Sequence, residues 1–385
     1  MLLADNSAAA TQTIHNVDFA QRDRESQQLS AIDLLLGLPE DVHPAAAALA
    51  LLRDRSLSTD LLKKAAIDAI SRSGRVLETF VPLYTTNHCD SECKMCAMRK
   101  SNTRLIRKHA SKREIEDQLQ VLFEHERVRG VGFLTGEYDD QFTRLASAFR
   151  IGWAARTAFD MGFKRVYLNI GSMEEGEIRE ISDWVRPGEP VTMCVFQESY
   201  DRDTYQNFMG STGSAPKSDY DRRIGSFDRW LDAGFTDVNP GVLIGLHDNL
   251  EEELVSLLSQ VVHLRSRSAR VDISLPRLRP ANGTRNVSKV DDEGYLRILA
   301  VIALVCPNQR LVLTTREPES FQAQAIDLCG VFSPGSPDVA PYSRDTQARN
   351  SEDSSQFLVA DLRRPRSIIS SFVRSGRQFA NFELL

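Results

Sequence analysis

From Gly74 onward, short apolar runs alternate with longer segments whose apolar positions recur at helical spacing, the pattern expected of repeated βα units around a parallel sheet. The runs are VLETFVPLY, GVGFLTG, RVYLNIG, VTMCVFQ, VNPGVLIGL, RVDISLP, RLVLTT and GVFSPG. Helical stretches lie between them. KREIEDQLQVLFEHE follows Ser111, which with Glu114 has capping-box spacing, and NLEEELVSLLSQVVHL begins at the capping residue Asn249. Eight strands with intervening helices predict a closed (β/α)8 barrel of the TIM type, an α/β fold. The alternative is a doubly wound open sheet, but no Gly-rich dinucleotide fingerprint follows the first strand.

The flanks have different patterns. Residues 1–28 are polar, mixed and aperiodic, and predict a flexible or loosely docked arm. Over 29–74, SAIDLLLGL, AAAALALLRD and STDLLKKAAIDAI predict a helical extension, with Ser58 or Thr59 capping its last helix. The barrel is expected over 75–340. Over 341–385 a polar loop, SRDTQARNSEDSSQ, leads into an edge segment and a final helix packed on the barrel.

At 385 residues and 42% hydrophobic composition the chain can bury one large core. A net charge of -6 argues against a nucleic-acid surface and favours a small-molecule substrate. No apolar run is long enough to cross a membrane, and the start MLLADNSAAATQT lacks the features of a signal peptide, so the expected location is the cytoplasm.

Six cysteines are present, and three of them, Cys89, Cys93 and Cys96, crowd the loop after the first strand. That is a barrel's catalytic end. Three thiolates on one short loop can hold three irons of a 4Fe-4S cluster and leave the fourth iron open for a ligand. A zinc knot completed by His88 is the competing arrangement, although no distant Cys or His pair has the usual spacing for one. Cys194, Cys306 and Cys329 stand singly in apolar runs, as small buried side chains do.

The CxxxCxxC spacing resembles the signature of the radical S-adenosylmethionine (SAM) superfamily, with Met95 where most members carry an aromatic residue. The resemblance implies that SAM chelates the open iron and is reductively cleaved to a 5′-deoxyadenosyl radical. It also implies further cofactor contacts along the chain. Gly136, Glu137 and Tyr138 resemble the element that meets the methionine ammonium. Asn169, Ser172, Gln197 and Glu198 stand where ribose hydroxyls would be met, Arg223 where the SAM carboxylate is paired, and Gly241 and Gly245 on the strand under adenine.

The motifs PLYTTNHCDSECKMC, FLTGEY, NIGSMEE, VFQESYD and LTTREPE together are similar to those of the radical SAM aromatic amino-acid lyase family, over about Thr79 to Leu362. Within it they most resemble the tryptophan lyases of thiopeptide antibiotic biosynthesis. By that resemblance Arg316 clamps the carboxylate of L-tryptophan, Ser333 holds its amine and Tyr84 borders it. Hydrogen abstraction from the amine, carbon-carbon cleavage and migration of the carboxyl fragment would then give 3-methylindole-2-carboxylate (3-methyl-2-indolic acid). A low-potential flavodoxin or ferredoxin is the implied electron donor. Two alternatives stay open: a tyrosine lyase cleaving Cα-Cβ to p-cresol and dehydroglycine, as in thiazole synthesis, and a non-catalytic metal-binding scaffold. The hydrogenase-maturation members carry a second cluster on a C-terminal extension, and no cysteine follows Cys329 here.

Overall fold

A computed structural model describes residues 19–284 and 288–383. The strands are β1 Glu78–Thr79, β2 Val81–Tyr84, β3 Gly130–Leu134, β4 Arg165–Asn169, β5 Val191–Glu198, β6 Asp237–Val242, β7 Arg270–Ser274, β8 Arg310–Thr314 and β9 Val331–Ser333. They form one parallel sheet in the order β1-β9-β8-β7-β6-β5-β4-β3-β2. Because β1 and β2 are consecutive pieces of one chain run parted at Phe80, the sheet returns on itself. The eight expected runs thus become the staves of a barrel, the first of them split in two. Asn381 completes the end of β1: its side-chain oxygen accepts from the Thr79 backbone N–H and its amide donates to the Thr79 carbonyl, each at 2.7 Å. These bonds satisfy backbone groups that would otherwise be orphaned in the core.

A layer of charge closes the end of the barrel opposite the cysteines. The Glu78 carboxylate meets Arg165 at 2.9 Å and Arg310 at 2.7 Å, Arg165 meets Asp237 at 2.8 Å, and Arg310 meets Asp272 at 2.7 Å. Tyr167 donates to Asp272 at 3.1 Å and stacks on Phe80, with ring centroids 4.0 Å apart. Such a network holds together only while each member keeps its partner, since a lone buried ion is costly.

The expected helix starts are present. Ser111 and Glu114 form a reciprocal capping box, Asn249 caps Leu250–Ser266, and Ser58 caps Thr59–Arg72. Helix Asp292–Val305 is buried continuously from Tyr295 to Val305, because the extension helices Pro44–Arg53 and Thr59–Arg72 cover the side that the barrel does not. A helix apolar all round needs such a cover.

The arm expected over 1–28 as flexible or loosely docked is described only from residue 19. Phe19–Gln27 is a helix packed against Pro44–Arg53, anchored by Phe19 on the core and by Asp23 paired with Arg53; the remainder of the arm, 1–18, lies outside the described residues. The edge segment expected before the last helix forms no strand. An irregular strap instead runs back over the barrel mouth before helix Pro365–Arg374, which buries Ile368, Ile369 and Phe372. No helix among the described residues is long and apolar enough to cross a membrane.

Candidate active site

The cysteine loop is fixed from several sides. Asn87, fully buried, donates to the carbonyls of Ile106 and Ser354 at 2.9 Å each and accepts from the Lys108 N–H at 2.6 Å. Gly136 lets β3 approach the loop, since a Cβ there would stand 2.0 Å from the His88 carbonyl oxygen and 2.7 Å from Cys89. Cys89 Sγ accepts from the N–H groups of Glu137 at 3.3 Å and Ser91 at 3.4 Å. Cys96 Sγ accepts from the Met98 N–H at 3.4 Å and the Gln356 amide at 3.5 Å.

All three thiols face one cavity. Burial pushes the Cys89 thiol up to about 11 and raises Cys93 further, so both stay protonated at neutral pH until a cation takes the proton's place. Donors aimed at sulfur suit a cluster thiolate, whose charge they partly offset. A zinc knot fits less well. His88 is exposed and does not line the cavity, and among the described residues no three His, Cys, Asp or Glu side chains converge on one ion. A cubane needs no such convergence, because each thiolate binds its own iron.

The cavity, about 1650 Å³ including its open mouth, lies at the C-terminal ends of the strands. On one side Glu137 pairs with Arg223 at 2.8 Å, and Arg223 also donates to the Phe196 carbonyl at 2.7 Å. Burial alone would raise the Glu137 carboxyl, but Arg223 and Lys217 outweigh it and hold the group below the usual carboxylate range. A β-bulge between Phe196 and Glu198, with Glu198 at φ 69°, turns the Glu198 side chain into the cavity, where it meets Lys217 at 2.5 Å.

Arg316, two residues past β8, occupies another part of the wall. Its guanidinium lies 3.6 Å over the Phe357 ring, and among the described residues no carboxylate or carbonyl accepts a hydrogen bond from it. A salt bridge to Glu317 would be the ordinary fate of such a side chain. Glu317 is instead taken by Arg277 and by Arg279, the latter at 2.7 Å. Arg316 is part-buried where it opens onto the cavity, and that burial lowers its pKa. Ser333, at the end of β9, is buried on the same cavity, and its hydroxyl has no protein partner among the described residues.

Of the residues singled out in the sequence, Tyr84, the three cysteines, Gly136, Glu137, Asn169, Glu198, Arg223, Arg316 and Ser333 line this cavity. Five do not. Tyr138 and Ser172 line a smaller adjoining hollow, where the Ser172 hydroxyl is bound to Ser226 at 2.7 Å. The same bulge that aims Glu198 inward turns Gln197 away into the protein. A Cβ on Gly241 would sit 2.6 Å from the Ser274 carbonyl, so that glycine serves close strand packing, and Gly245 serves a turn at φ 107°. The sequence offered no signal for Lys217, on the single 3-10 turn Pro216–Ser218, or for Arg279, Gln356 and Phe357, which line the cavity from irregular loops.

A Biotin and Thiamin Synthesis associated domain model matches residues 274–378, the part of the chain that carries Arg316, Ser333 and the strap. The 2-iminoacetate synthase of Escherichia coli (strain K12) is 27% identical over 325 residues, 80% of this chain and 78% of that protein. The crystal structure of HydG, a maturase of the FeFe-hydrogenase, superposes with a TM-score of 0.80 at 26% identity, over 95% of this chain and 80% of that one. Methylornithine synthase (PylB), at 16% identity and a TM-score of 0.69 over 91% of this chain and 97% of that one, shares the fold. With three thiols and an ion-paired carboxylate on one barrel mouth, and with its similarity to these relatives, the chain is a radical SAM lyase for an aromatic amino acid, working with a 4Fe-4S cluster and S-adenosylmethionine.

Proposed function

We propose that the enzyme is an L-tyrosine lyase, cleaving Cα-Cβ to give p-cresol and dehydroglycine. The observation that carries an amino-acid substrate is Arg316, a guanidinium without a protein acceptor in the same cavity as the three cysteine thiols. A planar cationic fork of this kind fits a free carboxylate. The choice of ring rests on kinship with 2-iminoacetate synthase, whose product is the same imino acid, and with HydG.

Cys89, Cys93 and Cys96 would hold the cluster. Glu137, kept ionised by Arg223 and Lys217, would take the cofactor's ammonium, while Asn169 and Glu198 reach its ribose. Bound there, these groups supply a 5′-deoxyadenosyl radical able to take a hydrogen atom from the substrate amine. The protein's part is placement. Arg316 would fix the carboxylate, Ser333 would orient the amine and Tyr84 would border the substrate, and placement of this kind decides which hydrogen is taken. The strap, lying over part of the mouth, would limit access of water and other hydrogen donors.

A second reading is the conversion of L-tryptophan to 3-methylindole-2-carboxylate, favoured by FLTGEY, NIGSMEE and LTTREPE occurring together and using the same clamp. Anaerobically reconstituted protein given dithionite, SAM and each amino acid in turn separates the two by mass spectrometry. p-Cresol from tyrosine is the expected product; 3-methylindole-2-carboxylate from tryptophan, with no p-cresol, establishes the second reading instead.

A further inference from the structure

We propose that Gln356 tunes the reduction potential of the cluster and is a positioning residue for it. The Gln356 amide donates to Cys96 Sγ at 3.5 Å, and its side-chain oxygen accepts from the Tyr84 hydroxyl at 2.5 Å. The other donors to cysteine sulfur among the described residues, at Ser91, Met98 and Glu137, are backbone N–H groups. Gln356 is therefore the one side chain among them whose replacement changes the hydrogen bonding of a cluster ligand directly.

The orientation of the amide follows from chemistry. Turned over, it would set its oxygen lone pairs against a thiolate, whereas as placed it gives an N–H to the negative sulfur and an acceptor to the phenol. The segment is held on both sides, since the Gln356 N–H donates to the Pro337 carbonyl at 3.1 Å and its carbonyl accepts from Ala97 in the cysteine loop at 3.2 Å. The next residue, Phe357, carries Arg316 on its ring. Two neighbouring strap residues thus touch the cluster loop and the substrate clamp.

An N–H directed at a ligand sulfur stabilises the more negative, reduced cluster more than the oxidised one and so raises its potential. The Tyr84 hydroxyl polarises the same amide and strengthens that donor. The proposal rests on the cluster and is independent of which aromatic amino acid is cleaved.

The experiment is an anaerobic redox titration followed by electron paramagnetic resonance, with iron content measured in each sample. Gln356→Leu should move the midpoint to more negative potential at full iron loading, and Tyr84→Phe should move it the same way by less. Gln356→Glu keeps the shape but sets a carboxylate beside Cys96, and should also lower the potential; it decides the matter should the leucine variant load poorly. Wild-type potential in a fully loaded Gln356→Glu protein overturns the proposal.

Discussion

The Arg316 guanidinium has no salt-bridge partner or hydrogen-bond acceptor among the described residues, and its bed is an aromatic face rather than a carboxylate. Cation-π contact steadies the guanidinium without competing for its donors. Lysine in its place would lose both the stacking and the two-pronged geometry. Arg316→Lys should therefore lower kcat/KM by roughly 10- to 100-fold, the equivalent of losing one charged hydrogen bond of about 1.5–3 kcal/mol. Iron content should stay unchanged in the same preparation, and loss of iron would make the residue structural. At Gly136 the expectation is the reverse. A methyl group 2.0 Å from the His88 carbonyl oxygen must displace the cysteine loop, so Gly136→Ala should bind much less iron while the barrel's circular dichroism persists. The functional types of these residues could be read from the sequence because cysteine spacing and strand-end position announce them. The missing partner of Arg316 could not, since it depends on Arg277 and Arg279 having already taken Glu317.

Among the elements, those with a period were legible. All eight runs became strands, and the capping residues Ser58, Ser111 and Asn249 start helices where expected. The bulge in β5 was not, because one irregular residue exchanges the directions of Gln197 and Glu198 without altering composition. Nor was the strap, a polar tract without a period whose contacts come from segments hundreds of residues earlier. Helix Pro44–Arg53 begins with a cap that the sequence pattern hid: His43 Nδ1 accepts from the Ala45 N–H at 3.1 Å. Burial, followed by the nearby Arg22, lowers its pKa from 6.5 to about 4. The unfolded chain then binds the extra proton more readily between those values, so stability falls as pH drops from about 6.5 towards 4. A cap of this kind is worth about 1 kcal/mol, or roughly 2–4 °C in a large domain. Thermal melts of His43→Asn, which caps without titrating, should lack that acid slope.

For the molecule as a whole, one end of the barrel serves stability and the other chemistry. Glu78 joins Arg165 and Arg310 beneath the cavity, and Tyr167 caps that layer from above. Glu78→Gln should cost about 1–2 kcal/mol, less than breaking a fully buried ion pair, because Glu78 is part-exposed and Arg165 and Arg310 keep Asp237 and Asp272 as partners. Calorimetry should show the lower melting temperature, with SAM cleavage at 25 °C unaltered; a loss of cleavage would tie the charged layer to the chemistry. The strap has a consequence for biogenesis. Gln356 and Phe357 leave the ribosome after every strand has been made, so the nascent barrel passes through a stage in which the thiols of Cys89, Cys93 and Cys96 lack their cover. Until then Cys96 lacks the Gln356 amide that donates to its sulfur.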